Sequence, residues 1–145
     1  MHKDSYAGFR AAWLGVVATL LAVTAGAGEP SGNQAAPAAV MTQEQLVEHL
    51  AKHPQHLFVL DVRSPQEYAE GHVPGAVNVP HDQLASRLAE VPKDKDVVLY
   101  CRSGRRSALA ADVLAANGYT RLSHLEGDMQ AWVARGRPVE QPKAP

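Results

Sequence analysis

Short apolar runs, each followed by a segment that opens like a capped helix, recur along this chain and narrow its fold more than any other feature. Residues 56–62 (HLFVLDV) and 96–100 (DVVLY) are nearly continuous apolar stretches, the pattern of strands buried on both faces. Residues 76–79 and 121–125 read as two further strands. Thr42-Gln43-Glu44-Gln45 has the form of a capping box, with Thr42 as the N-cap and Gln45 reaching back to it. The helix it opens carries Leu46, Val47 and Leu50 on one face and stops near Pro54. Ser64-Pro65-Gln66-Glu67 is a second helix start, with a capping serine, proline at the first helical position and Glu67 at the third. Helices are also predicted over 83–90, where Leu84 and Leu88 share a face, over 107–117, ended by Gly118, and over 128–134, with Trp132 in the core. Strands that alternate with helices imply an α/β fold, a mostly parallel open sheet with helices on both faces. In such folds ligands sit beyond the carboxyl ends of the strands, near the helix N-termini.

The alternation begins only after about forty residues. Ahead of it, Lys3 and Arg10 lie in a polar stretch, residues 11–27 (AAWLGVVATLLAVTAGA) are apolar, and the run closes in Ala25-Gly26-Ala27. Charge, apolar core and small-residue site come in the order of a secretory signal peptide, with cleavage expected after Ala27. A membrane-spanning helix needs about 20 strongly apolar residues, and this run is short and diluted by Ala, Gly and Thr, so no stable membrane anchor is expected. Residues 28–40 (GEPSGNQAAPAAV) read as a flexible linker, residues 41–139 as one folded domain and residues 140–145 as a tail. The chain is 46% hydrophobic, and its 14 Lys+Arg against 15 Asp+Glu give a net charge of −1. A balance so near neutral creates no field to draw it to nucleic acid or an anionic membrane. A monomer exported to the periplasm is expected.

The strand at 96–100 runs directly into Cys101-Arg102-Ser103-Gly104-Arg105-Arg106-Ser107. A glycine-containing loop that turns sharply from strand to helix aims successive backbone N–H groups into one concavity, an anion-holding nest. The helix start adds its own partial positive charge. A thiol centred there is favoured in its nucleophilic thiolate form. Arg102, Arg105 and Arg106 supply further donors for an oxyanion. A buried structural cysteine is the plainer alternative, but an apolar core does not place three arginines within five residues of a thiol. Cys101 is the only cysteine, so an intrachain disulfide and a thiolate-only metal site are excluded, and a lone cysteine in an exported chain suggests a free reactive thiol.

With that loop in view, the chain resembles the rhodanese (sulfurtransferase) family. A second segment matches independently: Asp61-Val62-Arg63, then Glu67-Tyr68-Ala69-Glu70-Gly71-His72-Val73-Pro74-Gly75-Ala76-Val77-Asn78-Val79-Pro80, close to the family's D-V-R … E-[FY]-x-x-G-H-[IV]-x-G-A-x-N-[IVL]-P element. A third, Leu125-Glu126-Gly127-Asp128 … Trp132, resembles its L-x-G-G … W element but departs at Asp128, where a second glycine is usual. The export signal on a single domain makes it look like the small periplasmic rhodaneses. The resemblance implies a single rhodanese-like domain in which Cys101 accepts sulfane sulfur as a persulfide. Arg102, Ser103, Gly104, Arg105 and Arg106 would form the substrate-cradling loop, its amides stabilising the persulfide. Asp61, Arg63, Glu67 and His72 match positions that look structural or sit behind the site. The implied partners are a small sulfur-containing anion such as thiosulfate as donor and a thiophilic acceptor, cyanide or a thiol. No cofactor beyond the covalent persulfide is implied.

Two other classes stay open. A cysteine phosphatase or arsenate reductase also sets a thiolate in an anion-binding loop, but those loops resemble C-x5-R. Here the sixth position after the cysteine is Ser107, and arginine falls one residue earlier at Arg106. A binding-only module is the other, and inert versions of this fold usually lack the cysteine. His49 and His53 have the i, i+4 spacing of a zinc pair, but no glutamate lies between them in the H-E-x-x-H position and no third ligand is evident, so they read as surface histidines and no metal is expected.

Overall fold

The computed structural model describes residues 38–142. The expected signal peptide over 1–27, residues 28–37 of the expected linker and the last three residues of the tail lie outside them. In chain order the elements are β1 (Ala39–Met41), α1 (Gln43–Lys52), β2 (Leu57–Asp61), α2 (Pro65–Glu70), β3 (Val77–Asn78), β4 (Asp96–Tyr100), α3 (Arg105–Ala116), β5 (Leu122–Leu125) and α4 (Asp128–Ala134). The five strands form one sheet in the order β1-β5-β4-β2-β3, and every neighbouring pair is parallel. The α/β reading with an open parallel sheet therefore holds.

Because successive strand residues face opposite sides of a sheet, β4 and β2 feed two cores. Leu60, Val62, Val97, Leu99 and Cys101 pack with Ala110, Ala111 and Leu114 of α3 on one face. Leu57, Val59, Val98 and Tyr100 pack with Leu46 of α1 and with Met129 and Trp132 of α4 on the other. Cys101 is thus delivered to the α3 side and the neighbouring Tyr100 to the opposite one. The Thr42 capping box forms as read, Thr42 Oγ1 accepting from the Gln45 N–H, and the second helix start is also a capping box, with Ser64 Oγ accepting from the Glu67 N–H and Glu67 from the Ser64 N–H.

Four expectations need correction. Ala39 and Val40, placed in the linker, belong to β1, which pairs with the edge of β5 from Ala39 opposite Ser123 to Met41 opposite Leu125. Glu140, placed in the tail, exchanges both backbone hydrogen bonds with His72 at 2.9 Å. The helix predicted over 83–90 is instead two separate 3-10 turns, Leu84–Ser86 and Leu88–Glu90. Arg87, between them, leaves helical backbone angles and ties its side chain to Gln83 and Glu90; so short a stretch gains too little from helix propagation to offset nucleation. Finally α3 starts at Arg105, two residues before the predicted start, so Arg105 and Arg106 lie in its first turn rather than in a loop.

Candidate active site

The carboxyl end of β4 leads into Cys101, which is 1% exposed. The chain then turns at Gly104, whose φ of +105° favours glycine. That turn aims the Gly104 N–H at Cys101 Sγ, 3.0 Å away. The junction of β5 and α4 holds the loop from behind: the Met129 N–H donates to the Cys101 carbonyl at 3.0 Å and the Gln130 N–H to the Arg102 carbonyl at 3.1 Å. Gly127 makes that junction possible, since it has positive φ and a Cβ there would overlap Ala131. Above the sulfur is an open cavity of about 390 Å³ bordered by His81, Arg102, Ser103, Arg105, Arg106 and Leu109.

The arginines differ in their attachments. Arg106 makes two hydrogen bonds to Glu67, Nη1 to Oε2 at 2.7 Å and Nη2 to Oε1 at 2.8 Å. Glu67 Oε2 also accepts from the backbone N–H and hydroxyl of Ser64. The hydrogen bonds from Arg106 first, and those from Ser64 after them, outweigh burial, which acts the other way, and pull this carboxyl from its ordinary 4.5 down to about 2. Arg102 and Arg105 are exposed and make no ion pair among the described residues. Two arginines in the first turn of a helix oppose the helix dipole. Arg106 is balanced by Glu67, whereas the charge of Arg105 is left without an ion-pair partner among the described residues.

Glu67 and Arg106 also give a pH test. A carboxyl with a lowered pKa contributes stability above its unfolded value, and that contribution is lost as pH falls through the folded one. Wild type should therefore be more stable than Glu67→Gln by about 1 kcal/mol at neutral pH, and the gap should close between pH 4.5 and about 2. Glutamine preserves the capping box, so the difference isolates the ion pair. Denaturant unfolding at several pH values measures it; a gap that does not narrow in acid contradicts the assignment.

A model of the rhodanese-like domain matches residues 42–135. The chain belongs to the rhodanese-like family. A sulfurtransferase of Allochromatium vinosum is 40% identical over 100 residues, covering 69% of this chain and 92% of that one. The thiosulfate sulfurtransferase PspE of Escherichia coli is 39% identical over 70 residues, covering 47% of this chain and 67% of its own. Among solved structures, a rhodanese-related protein of Thermoplasma volcanium superposes with a TM-score of 0.62 at 29% identity, over 70% of this chain and 97% of that one.

The rhodanese-like domain gathers the residues singled out in the sequence unevenly. Cys101, Arg102, Ser103, Gly104, Arg105, Arg106 and Glu67 come together. Asp61 lies on the other face of the sheet, and Arg63, whose Nη2 reaches Asp61 Oδ2 at 2.6 Å and the Gly71 carbonyl at 2.8 Å, borders a second cavity beside Glu67 and Arg102. The Tyr100 hydroxyl donates to Asp61 Oδ2 at 2.7 Å and accepts from the Val73 N–H at 3.0 Å. Burial first, then the charge of Asp61, holds the Tyr100 phenol well above its ordinary value, so it remains a donor. His72 is stacked on Tyr68 with centroids 3.7 Å apart and does not border the cavity. Sequence reasoning missed His81, which borders the cavity. Its signal was positional: it lies just beyond the carboxyl end of β3, where such folds place ligand contacts. It also left Asp128, noted as a departure, outside the site. The Asp128 carboxylate lies directly beneath the loop, with Oδ1 accepting from the Cys101 N–H at 2.8 Å.

Proposed function

We propose that the protein is an exported, periplasmic sulfurtransferase that moves sulfane sulfur from thiosulfate, or a similar donor, to cyanide or a thiol through a persulfide on Cys101. The observation that carries this reading is the Gly104 N–H standing 3.0 Å from Cys101 Sγ under an arginine-rimmed cavity. The thiolate attacks the outer sulfur of thiosulfate, the bond to the sulfonate sulfur breaks, and sulfite leaves with the electron pair. Arg102 and Arg105, exposed on the rim, meet the sulfonate oxygens before it departs. The persulfide then carries its negative charge on the outer sulfur, where loop N–H groups and the helix end favour it. Attack by cyanide on that sulfur forms thiocyanate and returns the thiolate.

Two further points support sulfur over phosphate chemistry. A phosphoryl group needs a ring of donors around its equatorial oxygens plus an arginine free to bridge two of them. The loop's Arg106 comes one residue early for that bridge and is committed to Glu67 through both terminal nitrogens. The name of the E. coli relative, a thiosulfate sulfurtransferase, is consistent with thiosulfate as donor. Export rests on the N-terminal pattern of charge, apolar run and Ala25-Gly26-Ala27.

Intact-mass spectrometry tests these points together. Protein from its native host should begin at Gly28, gain the mass of one sulfur atom with thiosulfate, and lose it with cyanide. The same preparation should leave p-nitrophenyl phosphate unhydrolysed. Efficient hydrolysis of the aryl phosphate with no sulfur gained would replace this reading with phosphatase chemistry. A full-length chain in the membrane fraction would replace export with a retained anchor.

A further inference from the structure

Asp128 combines two features that are unfavourable in themselves. It is the one non-glycine residue with positive φ among the described residues, at +53°. Its carboxylate is also buried, with the residue 7% exposed, and forms no ion pair there. Backbone strain and an unpaired buried carboxylate persist only where the surroundings demand them. Here the demand is visible in what the carboxylate holds. Oδ1 accepts from the Cys101 N–H at 2.8 Å and from the Ser107 hydroxyl at 3.2 Å. Ser107 Oγ is also 3.0 Å from the Gly104 carbonyl, the turn that aims an amide at the sulfur. Oδ2 fills the space beside Gly104, where an added Cβ would stand 3.2 Å away.

One side chain therefore bridges the two ends of the cysteine loop. It pins the Cys101 amide downward, while the neighbouring Met129 N–H holds the Cys101 carbonyl. The residue that carries the sulfur is thus fixed on both sides of its Cα. The single proton of the Ser107 hydroxyl is shared between the same oxygen and the Gly104 carbonyl, which ties the Gly104 turn to the Asp128 side chain.

We propose that Asp128 is a positioning residue for sulfur transfer, its carboxylate holding Cys101 and the Gly104 turn in register so that the Gly104 amide faces the sulfur. This rests on Cys101 being the sulfur carrier. The contribution is made through hydrogen bonds rather than through charge, because both donors are neutral groups on the loop itself.

The test compares Asp128→Gly, Asp128→Ala and Asp128→Asn in thiosulfate:cyanide kinetics, with thermal unfolding measured alongside. Glycine removes the carboxylate but accepts positive φ without strain, so its unfolding midpoint should fall by only several degrees, the cost of leaving the Cys101 N–H and Ser107 hydroxyl without that acceptor. Its kcat should nevertheless fall about 10- to 100-fold, as expected when a reacting group is misplaced by about an ångström, with the thiosulfate KM little changed. Alanine should lose kcat similarly. Asparagine, whose amide oxygen can accept from the same two donors, should restore kcat to within about threefold of wild type. Wild-type kcat in the glycine variant, an asparagine variant as poor as alanine, or losses of activity that merely track losses of fold would each overturn the positioning role. If alanine does not fold, the glycine variant decides; if neither folds, the role is structural and the proposal falls. Wild-type protein that takes no sulfur from thiosulfate would remove the sulfurtransferase reading and this role with it, whereas an active wild type with unaffected variants removes only the role of Asp128.

Discussion

Cys101→Ser is expected to give a folded protein whose sulfur transfer from thiosulfate to cyanide is reduced by at least about a thousandfold. The fold should survive because the contacts that fix this position are backbone ones: the Cys101 N–H to Asp128 and the Cys101 carbonyl to the Met129 N–H. A serine oxygen can also accept from the Gly104 N–H that now faces sulfur. The unfolding midpoint should therefore move by only a few degrees, reflecting a small loss of packing against Leu99 and the α3 alanines. Activity should collapse because a hydroxyl is not ionised at neutral pH and forms no stable counterpart of a persulfide. No other thiol can substitute, since the chain contains one cysteine. A serine variant that keeps more than a few per cent of turnover would show that the sulfur is carried elsewhere, and the site would have to be sought outside this loop.

The sequence made the centre of the fold legible because β2 and β4 are marked by their own side chains. Residues such as Val59, Leu60, Val98 and Leu99 have no solvent-facing alternative, and strands buried on both faces are parallel strands covered by helices. The caps at Thr42 and Ser64 were legible for the same reason, since each is complete within four residues. What escaped depends on partners far along the chain. β1 is three residues long and acquires its conformation from the free edge of β5, more than eighty residues away. Arg106 reads as a ligand contact until Glu67, thirty-nine positions earlier, is found against it. Asp128 reads as a turn variant until its oxygen is found beneath Cys101, twenty-seven positions away. The cysteine loop itself lay in between: its residues were identified, but its helix begins at Arg105 because Gly104 turns the chain two residues ahead of the expected start at Ser107.

On the opposite face of the sheet from Cys101, removing the Asp61 carboxylate should have the largest effect on stability. Asp61 is 0% exposed and accepts from the Arg63 backbone N–H at 2.9 Å, from Arg63 Nε and Nη2, and from the Tyr100 hydroxyl at 2.7 Å. In Asp61→Ala the Arg63 guanidinium stays in place, 7% exposed, with only the Gly71 carbonyl and the face of Tyr100 to offset its charge. An orphaned buried charge of this kind costs about 3–5 kcal/mol. For a domain of this size that corresponds to a fall in unfolding midpoint on the order of 20 °C. Arg63→Met should cost less, because Asp61 would keep two neutral donors, the Arg63-position N–H and the Tyr100 hydroxyl. The order matters: the two variants separate an unpaired cation from an anion that retains hydrogen bonds. Denaturant unfolding measures both, and an alanine variant within about 1 kcal/mol of wild type would mean that the pair contributes no more than a surface ion pair does. The consequence would reach the cysteine loop even so. Asp61 fixes the chain as it leaves β2, and three residues later Ser64 opens the helix from which Glu67 holds Arg106 beside the thiol.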